Sequence, residues 1–242
     1  MPRKPGSKAD KTSARGSTGP APENARRGRR AKAAAPPDRQ PSVLRIIGGV
    51  HRGRKLEYSG DPRTRPMKDR VREAVFNLLG SDVKEKFVLD LFAGTGALGL
   101  EALSRGASAA LFLEQHFPSA AGVRRNAASL GLAEAVEAVA ADTFIYFRRG
   151  VNLPALSQSA AWVVFCSPPF EFYVSRRDEM LELIGKLLAA APAESLFVVE
   201  SDARFDFGAL PAAESWDVRE YPPARVGIFR KPATKHPAGE AG

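Results

Sequence analysis

The chain has 242 residues, 44% of them hydrophobic, with 36 Lys and Arg against 27 Asp and Glu and a net charge of +9. That length suits one sizeable core with appendages and is too short for two full α/β domains. No apolar run approaches the roughly 18 to 20 residues of a membrane helix.

Cys166 is the only cysteine, which excludes an internal disulfide, and the scattered His51, His116 and His236 give no zinc-ligand spacing. No apolar segment follows the first basic residues, so a secretory signal is not expected. The expectation is a reduced, cytoplasmic, metal-free protein without a membrane anchor, acting as a monomer. The charge is uneven. Residues 1–42 carry eleven Lys and Arg against three Asp and Glu, residues 43–72 carry nine against three, and the rest of the chain is net acidic. A basic front on a mildly acidic body points to a polyanionic partner.

In chain order, residues 1–42 contain no Ile, Leu, Phe, Tyr or Trp. They cannot bury enough apolar surface to offset ordering, so they read as a disordered basic arm. The cluster Arg26-Arg27-Gly28-Arg29-Arg30 within it suits phosphate contact. Order is expected from Val43: a strand over 43–47, a turn at Gly48-Gly49 and a second strand over 51–56, which together make a basic hairpin. A helix follows over 68–79, where Val71, Val75, Phe76, Leu78 and Leu79 recur at helical spacing, with Asp69 as N-cap and Gly80 as terminator. Residues 43–80 thus form a hairpin-and-helix extension.

The body, 81–230, alternates strands and helices. Strands are expected at 87–92, 110–113, 136–140, 162–166 and 196–199. Helices are expected at 94–105, 119–130, 143–148 and 177–190. A hairpin of 216–221 and 226–229 closes the body, and 231–242 reads as a flexible tail. Such alternation implies an α/β fold, a mostly parallel sheet with helices on both faces, and ligands beyond the carboxyl ends of its strands.

The segment Val88-Leu89-Asp90-Leu91-Phe92-Ala93-Gly94-Thr95-Gly96-Ala97-Leu98-Gly99 is an apolar strand running into a glycine turn that opens a helix. Glycines there let a ligand approach the backbone. The bare Gly94-x-Gly96-x-x-Gly99 spacing also matches a dinucleotide fingerprint, which leaves a nicotinamide oxidoreductase open. Asp90 just ahead of the loop favours a cationic cofactor, S-adenosylmethionine, because a carboxylate there would repel a pyrophosphate. Glu114, closing the next strand, is placed to bind ribose hydroxyls. Asp142 is placed to meet an adenine amino group or, alternatively, to cap the helix that starts at Thr143. The candidate cofactor site is therefore Asp90, Phe92, Ala93, Gly94, Thr95, Gly96, Gly99, Glu114 and Asp142.

The fourth strand delivers Ser167-Pro168-Pro169-Phe170. This tetrapeptide resembles the Asp/Asn/Ser-Pro-Pro-aromatic motif of amino-methyltransferases. Upstream, Leu44-Arg45-Ile46-Ile47-Gly48-Gly49, Arg52-Gly53-Arg54-Lys55-Leu56, Arg65-Pro66 and Asp69-Arg70-Val71-Arg72-Glu73-Ala74-Val75-Phe76-Asn77 resemble RsmD-type bacterial ribosomal RNA methyltransferases, as does 90–102. The likeness covers about 43–229.

The resemblance implies a Rossmann-like S-adenosylmethionine-dependent methyltransferase fold with a seven-stranded sheet. It also implies methylation of a guanine exocyclic amine (N2) in small-subunit ribosomal RNA, on a pre-30S particle. In that reading Ser167, Pro168, Pro169 and Phe170 are catalytic. Acceptors at 167 and 168 would hold the amine, and Phe170 would stack on the extruded base. Arg45, Arg52, Arg54, Lys55, Arg65, Arg70 and Arg72 would bind RNA beside the cofactor end. Two positions depart from the family pattern. Met67 replaces a common hydroxyl residue, and Ser167 stands where Asp is usual, lacking its negative charge. A catalytically weakened assembly factor, or an amino-methyltransferase of another RNA or DNA base, is the alternative.

Overall fold

The structure, a computed structural model, describes residues 43–58, 60, 64, 66–154, 157 and 160–233. The expected basic arm over 1–42, Arg65, His236 and most of the expected tail lie outside the described residues. Helix α1 (Asp69–Leu79) and a 3-10 turn (Gly80–Val83) precede strand β1 (Phe87–Asp90). Then come α2 (Ala97–Ser104), β2 (Ala109–Leu113), α3 (Phe117–Ser129), β3 (Val136–Val139), α4 (Thr143–Phe147) and β4 (Trp162–Cys166). The chain continues through α5 (Phe172–Ser175), α6 (Arg177–Ala190), β5 (Leu196–Asp202), β6 (Asp217–Tyr221) and β7 (Ala224–Arg230). The seven strands form one sheet in the order β3-β2-β1-β4-β5-β7-β6. β1 to β5 pair in parallel, and β7 joins β5 and β6 antiparallel. The expected α/β fold class and mostly parallel seven-stranded sheet are what is observed. Among the described residues no helix is long and apolar enough to cross a membrane.

The central strands are apolar on both faces because helices cover both. Val88, Phe112, Phe165 and Val198 pack into one layer with α1, α2 and α3. Leu89, Leu111, Val164 and Val199 face the other, with α4 and α6. Successive side chains alternate in direction, so Asp90, two residues beyond Val88, is directed to the α1–α3 layer. Ser167 beyond Phe165, and Glu200 beyond Val198, follow the same parity. Strand order reverses between β1 and β4, the place where such sheets bind ligands.

Several local expectations are corrected. The N-terminal hairpin has one bridge, Arg45 to Lys55, instead of two full strands. The reason lies in where its donors go. Ile47 and Gly48 donate their N–H groups to the Glu101 carboxylate at 2.7 Å each, and Val50 and His51 donate to Ser104. Asp69 is not the N-cap of α1. Lys68 holds that position without a side-chain cap, and Asp69 sits in the first turn. Helix α3 starts at Phe117, earlier than expected, since Pro118 fits a first turn. β5 runs on to Asp202.

Glu101 anchors the extension. It is fully buried on α2, and beside its two backbone donors it faces the buried Arg72 at 3.9 Å and Arg105 at 2.9 Å. A carboxylate taken out of water needs such partners. Farther along, Asn126 on α3 takes the Glu57 N–H and donates to its carbonyl, while Arg125 holds the Glu57 carboxylate at 2.8 Å through two nitrogens. Leu44, Ile46, Leu56 and Met67 join the same core as the sheet.

Candidate active site

At the carboxyl edge β1 breaks into the glycine loop. Gly94 (φ 55°) and Gly96 (φ 76°) are left-handed, a conformation that disfavours side chains. A Cβ at Gly94 would lie 2.9 Å from the Thr64 methyl, and one at Gly99 would lie 2.3 Å from the Phe112 ring. The first glycine thus keeps the loop open beneath the incoming segment, and the last lets α2 settle on β2.

The loop's N–H donors are already placed. Gly94 donates to Glu114 Oε2 at 2.8 Å, Gly99 to Asp90 Oδ2 at 3.1 Å and Gly96 to the Ala93 carbonyl at 2.7 Å. Helix α2 has no side-chain cap of its own. Asp90 supplies one from the neighbouring strand, where the helix dipole also favours an anion. Glu114 Oε1 accepts a further bond from His116 N–H at 2.7 Å.

A dinucleotide site needs free loop donors to hold a pyrophosphate. This loop spends two donors on carboxylates, so it suits a ligand that brings positive charge and hydroxyl donors, as S-adenosylmethionine does. Asp90 is 1% exposed. Burial pushes its carboxyl up to about 7, with the Gly99 N–H opposing and the Glu114 charge adding to the rise.

The Ser167-Pro168-Pro169-Phe170 turn leaves β4, the strand hydrogen-bonded to β1 in register Asp90 to Phe165. Leu91 N–H donates to the Phe165 carbonyl at 3.0 Å, so the two patches lie side by side at one edge. The Pro169 and Phe170 carbonyls accept from Phe172 and Tyr173 and open the short α5. Pro169 is exposed and Phe170 half-buried. Cys166 is packed inside, and burial pushes its thiol up to about 12.

Three rings, Phe92, Phe144 and Phe172, meet at about 6 Å between centroids across the ends of β1, β3 and β4. Asp142 caps α4 through Oδ1, accepting from Phe144 and Ile145, and its Oδ2 faces Arg176 at 3.4 Å. The Arg176 guanidinium lies 3.8 Å over the Phe144 ring.

Two further corrections concern the basic extension. Arg72 is fully buried and spends its guanidinium on Asp69, the Arg45 carbonyl and Glu101, so no RNA phosphate can reach it. Arg45, Arg52, Arg54, Lys55 and Arg70 are exposed. The turn of the hairpin does not sit beside the cofactor end: it docks at the last turns of α2 and α3, through Ser104 and the Ser129 carbonyl, whereas Glu57, Tyr58 and Thr64, which follow the hairpin, border a pocket with Gly94 and Thr95. His51 and His116 are half-buried, and His116 Nδ1 lies 2.9 Å from Ser119 Oγ.

Sequence reasoning missed Glu200, Thr64, Phe172 and Arg176. Glu200 had a signal, an acid at the end of an apolar strand like Glu114. Phe172 and Arg176 border a helix too short for periodicity, and Thr64 is brought to Gly94 only by the fold. Among the described residues no group of three or more His, Cys, Asp or Glu could hold a metal ion.

Residues 44–220 match the family described as Conserved hypothetical protein 95. The Escherichia coli K12 ribosomal RNA small subunit methyltransferase D is 38% identical over 176 residues, covering 70% of this chain and 80% of that one. The solved structure of the Escherichia coli protein yhhF superposes with a TM-score of 0.63 at 31% identity, over 79% of this chain and 99% of that one. The fold alone is shared with the Thermus thermophilus 16S rRNA N2 G1207 methyltransferase RsmC (TM-score 0.58, 18% identity, 78% of this chain and 49% of that one). The glycine loop beside a Pro-Pro-aromatic turn and the relatives of the whole folded body agree: the chain belongs to the family of the ribosomal RNA small subunit methyltransferase D proteins.

Proposed function

We propose that this protein is an S-adenosylmethionine-dependent ribosomal RNA methyltransferase that methylates the exocyclic N2 of a guanine in small-subunit RNA. The observation that carries the reading is the adjacency, on neighbouring strands, of a carboxylate-backed glycine loop and the Ser167–Phe170 turn. Bound S-adenosylmethionine would supply the methyl group, its carbon–sulfur bond breaking as the amine nitrogen bonds to the carbon.

The chain's residues bind and orient. Loop residues Phe92 to Gly99, braced by Asp90 through the Gly99 N–H, hold the amino-acid end, and Glu114 takes the ribose hydroxyls with its remaining lone pairs. Asp142 and the Phe92–Phe144–Phe172 rings border the adenine, with Arg176 sharing Asp142. Ser167 Oγ and the Pro168 carbonyl accept from the base's N–H groups and hold the nitrogen lone pair toward the methyl carbon. Phe170 offers a face to the extruded base.

Residues 43–80 form the RNA-binding extension of the body at 81–230. Its exposed Arg45, Arg52, Arg54, Lys55 and Arg70 bind phosphates away from the reacting base, which suits a large structured substrate such as a pre-30S particle in the cytoplasm. The test is transfer of tritiated methyl from S-adenosylmethionine to small subunits purified from a strain lacking this protein, with the product base identified by mass spectrometry. Methylated N2 of guanine is the expected product. Salt-sensitive RNA binding without product would favour a non-catalytic assembly factor, the reading that Ser167 motivates.

A further inference from the structure

Ser167 brings a hydroxyl, but no charge, to the place where a methylated amine becomes cationic. The fold puts a carboxylate directly behind it. In the parallel ladder Cys166 pairs with Val199, so the next residues, Ser167 just beyond β4 and Glu200 still within β5, lie side by side with the same parity. Ser167 Oγ donates a hydrogen bond to Glu200 Oε2.

Glu200 is 8% exposed. Burial raises its carboxyl above the usual range, and the Ser167 hydroxyl opposes that rise only in part. Structural acids at such depth generally sit against a cation, as Glu101 does against Arg72 and Arg105. Glu200 instead points its carboxylate at a hydroxyl on the catalytic turn.

We propose that Glu200 is a positioning residue for methyl transfer, orienting a Ser167 Oγ lone pair toward the acceptor amine and receiving, through Oγ, the proton that the methylated amine sheds. The proposal rests on the methyltransferase reading above. Atoms and charges balance. The amine nitrogen forms the bond to the methyl carbon, and the sulfur keeps the electron pair of the broken bond. The nitrogen, now cationic, gives one proton to Oγ as the Ser167 proton passes to Glu200. The neutral acid then releases that proton to solvent. The Ser167–Glu200 pair thus does jointly what a single carboxylate on the turn would do.

Glu200→Gln keeps the size and an acceptor oxygen while removing the charge. With small subunits lacking the modification and tritiated S-adenosylmethionine, it should lower kcat by about 100-fold and leave KM for S-adenosylmethionine and the melting temperature unchanged. Ser167→Ala should lower kcat comparably, and Glu200→Gln should add nothing on top of it, since the two act as one unit. Ser167→Asp placed in the Glu200→Gln protein should recover most of the lost kcat, which a packing role for Glu200 would not permit. Parental kcat in Glu200→Gln, or no recovery by Ser167→Asp, overturns the proposal. Should Glu200→Gln fail to fold, parental kcat in Ser167→Ala overturns it equally. A parent protein that yields no methylated product removes the methyltransferase reading itself, an outcome distinct from parental turnover in the variants.

Discussion

The two halves of the carboxyl edge are built on one plan and differ in what the carboxylates hold. On the β1 side, Glu114 from the next strand outward accepts the Gly94 N–H, and Asp90 accepts the Gly99 N–H. On the β4 side, Glu200 from the next strand outward accepts the Ser167 hydroxyl. The first pair of acids grips backbone, and so sets a shape. The third grips a side chain whose proton can move. A parallel sheet places residues near the carboxyl end of one strand within reach of its neighbour's loop. A strand-end acid can therefore serve a loop far away in sequence: Glu114 is 20 residues from Gly94, and Glu200 is 33 from Ser167.

Substitutions separate the acids that set shape from the one that handles a proton. The largest effect should come from an acid outside the edge. Glu101→Ala leaves the buried Arg72 with Asp69 as its one remaining carboxylate partner and strands the Ile47 and Gly48 donors, costing about 3–5 kcal/mol in chemical denaturation. An unchanged midpoint would contradict the anchoring of the extension by α2. On the shape-setting side, Asp90→Ala removes the acceptor that holds Gly99. Affinity for S-adenosylmethionine should drop about 100-fold by calorimetry; normal binding would show that the loop keeps its shape without it.

Asp90 also predicts a pH signature. Its carboxyl stands at about 7 in the fold, against an ordinary value of 3.8. The folded chain therefore holds a proton that the unfolded chain has lost between those values. The contribution to stability is complete below about pH 4 and is lost as pH rises through 7. Asp90→Asn should flatten that decline and melt higher than the parent at pH 8 while matching it near pH 4. A parallel pair of melting curves would refute the buried acid. On the acceptor side, Phe170→Ala should reduce kcat by about tenfold, the scale of one missing base stack, with cofactor affinity intact. The smallest change belongs to the far edge. Arg52→Ala with Arg54→Ala should lower the salt dependence of RNA affinity by about one unit of slope for each phosphate left unneutralised, without altering turnover at saturating RNA.

Much of this protein was legible from residue pattern. Two-sided apolar strands, the Gly94-x-Gly96 turn and the Pro168-Pro169 turn each report a local requirement: burial on both faces, a left-handed backbone, a chain reversal. Those requirements act over a few residues, so the sequence alone determined the α/β alternation, the glycine loop and the acceptor turn. It could not decide what depends on strand order and helix direction. Arg72 looks like one of a series of surface arginines, yet it is buried because α1 lies against α2 and Glu101. The hairpin was expected beside the cofactor, yet its turn docks at the far ends of α2 and α3, because those helices run antiparallel to the strands and their last turns accept it. The partnership of Ser167 with Glu200 exists only in the register of β4 against β5. Side-chain chemistry and local periodicity are written residue by residue, whereas the meeting of distant segments is chosen by packing the whole sheet at once.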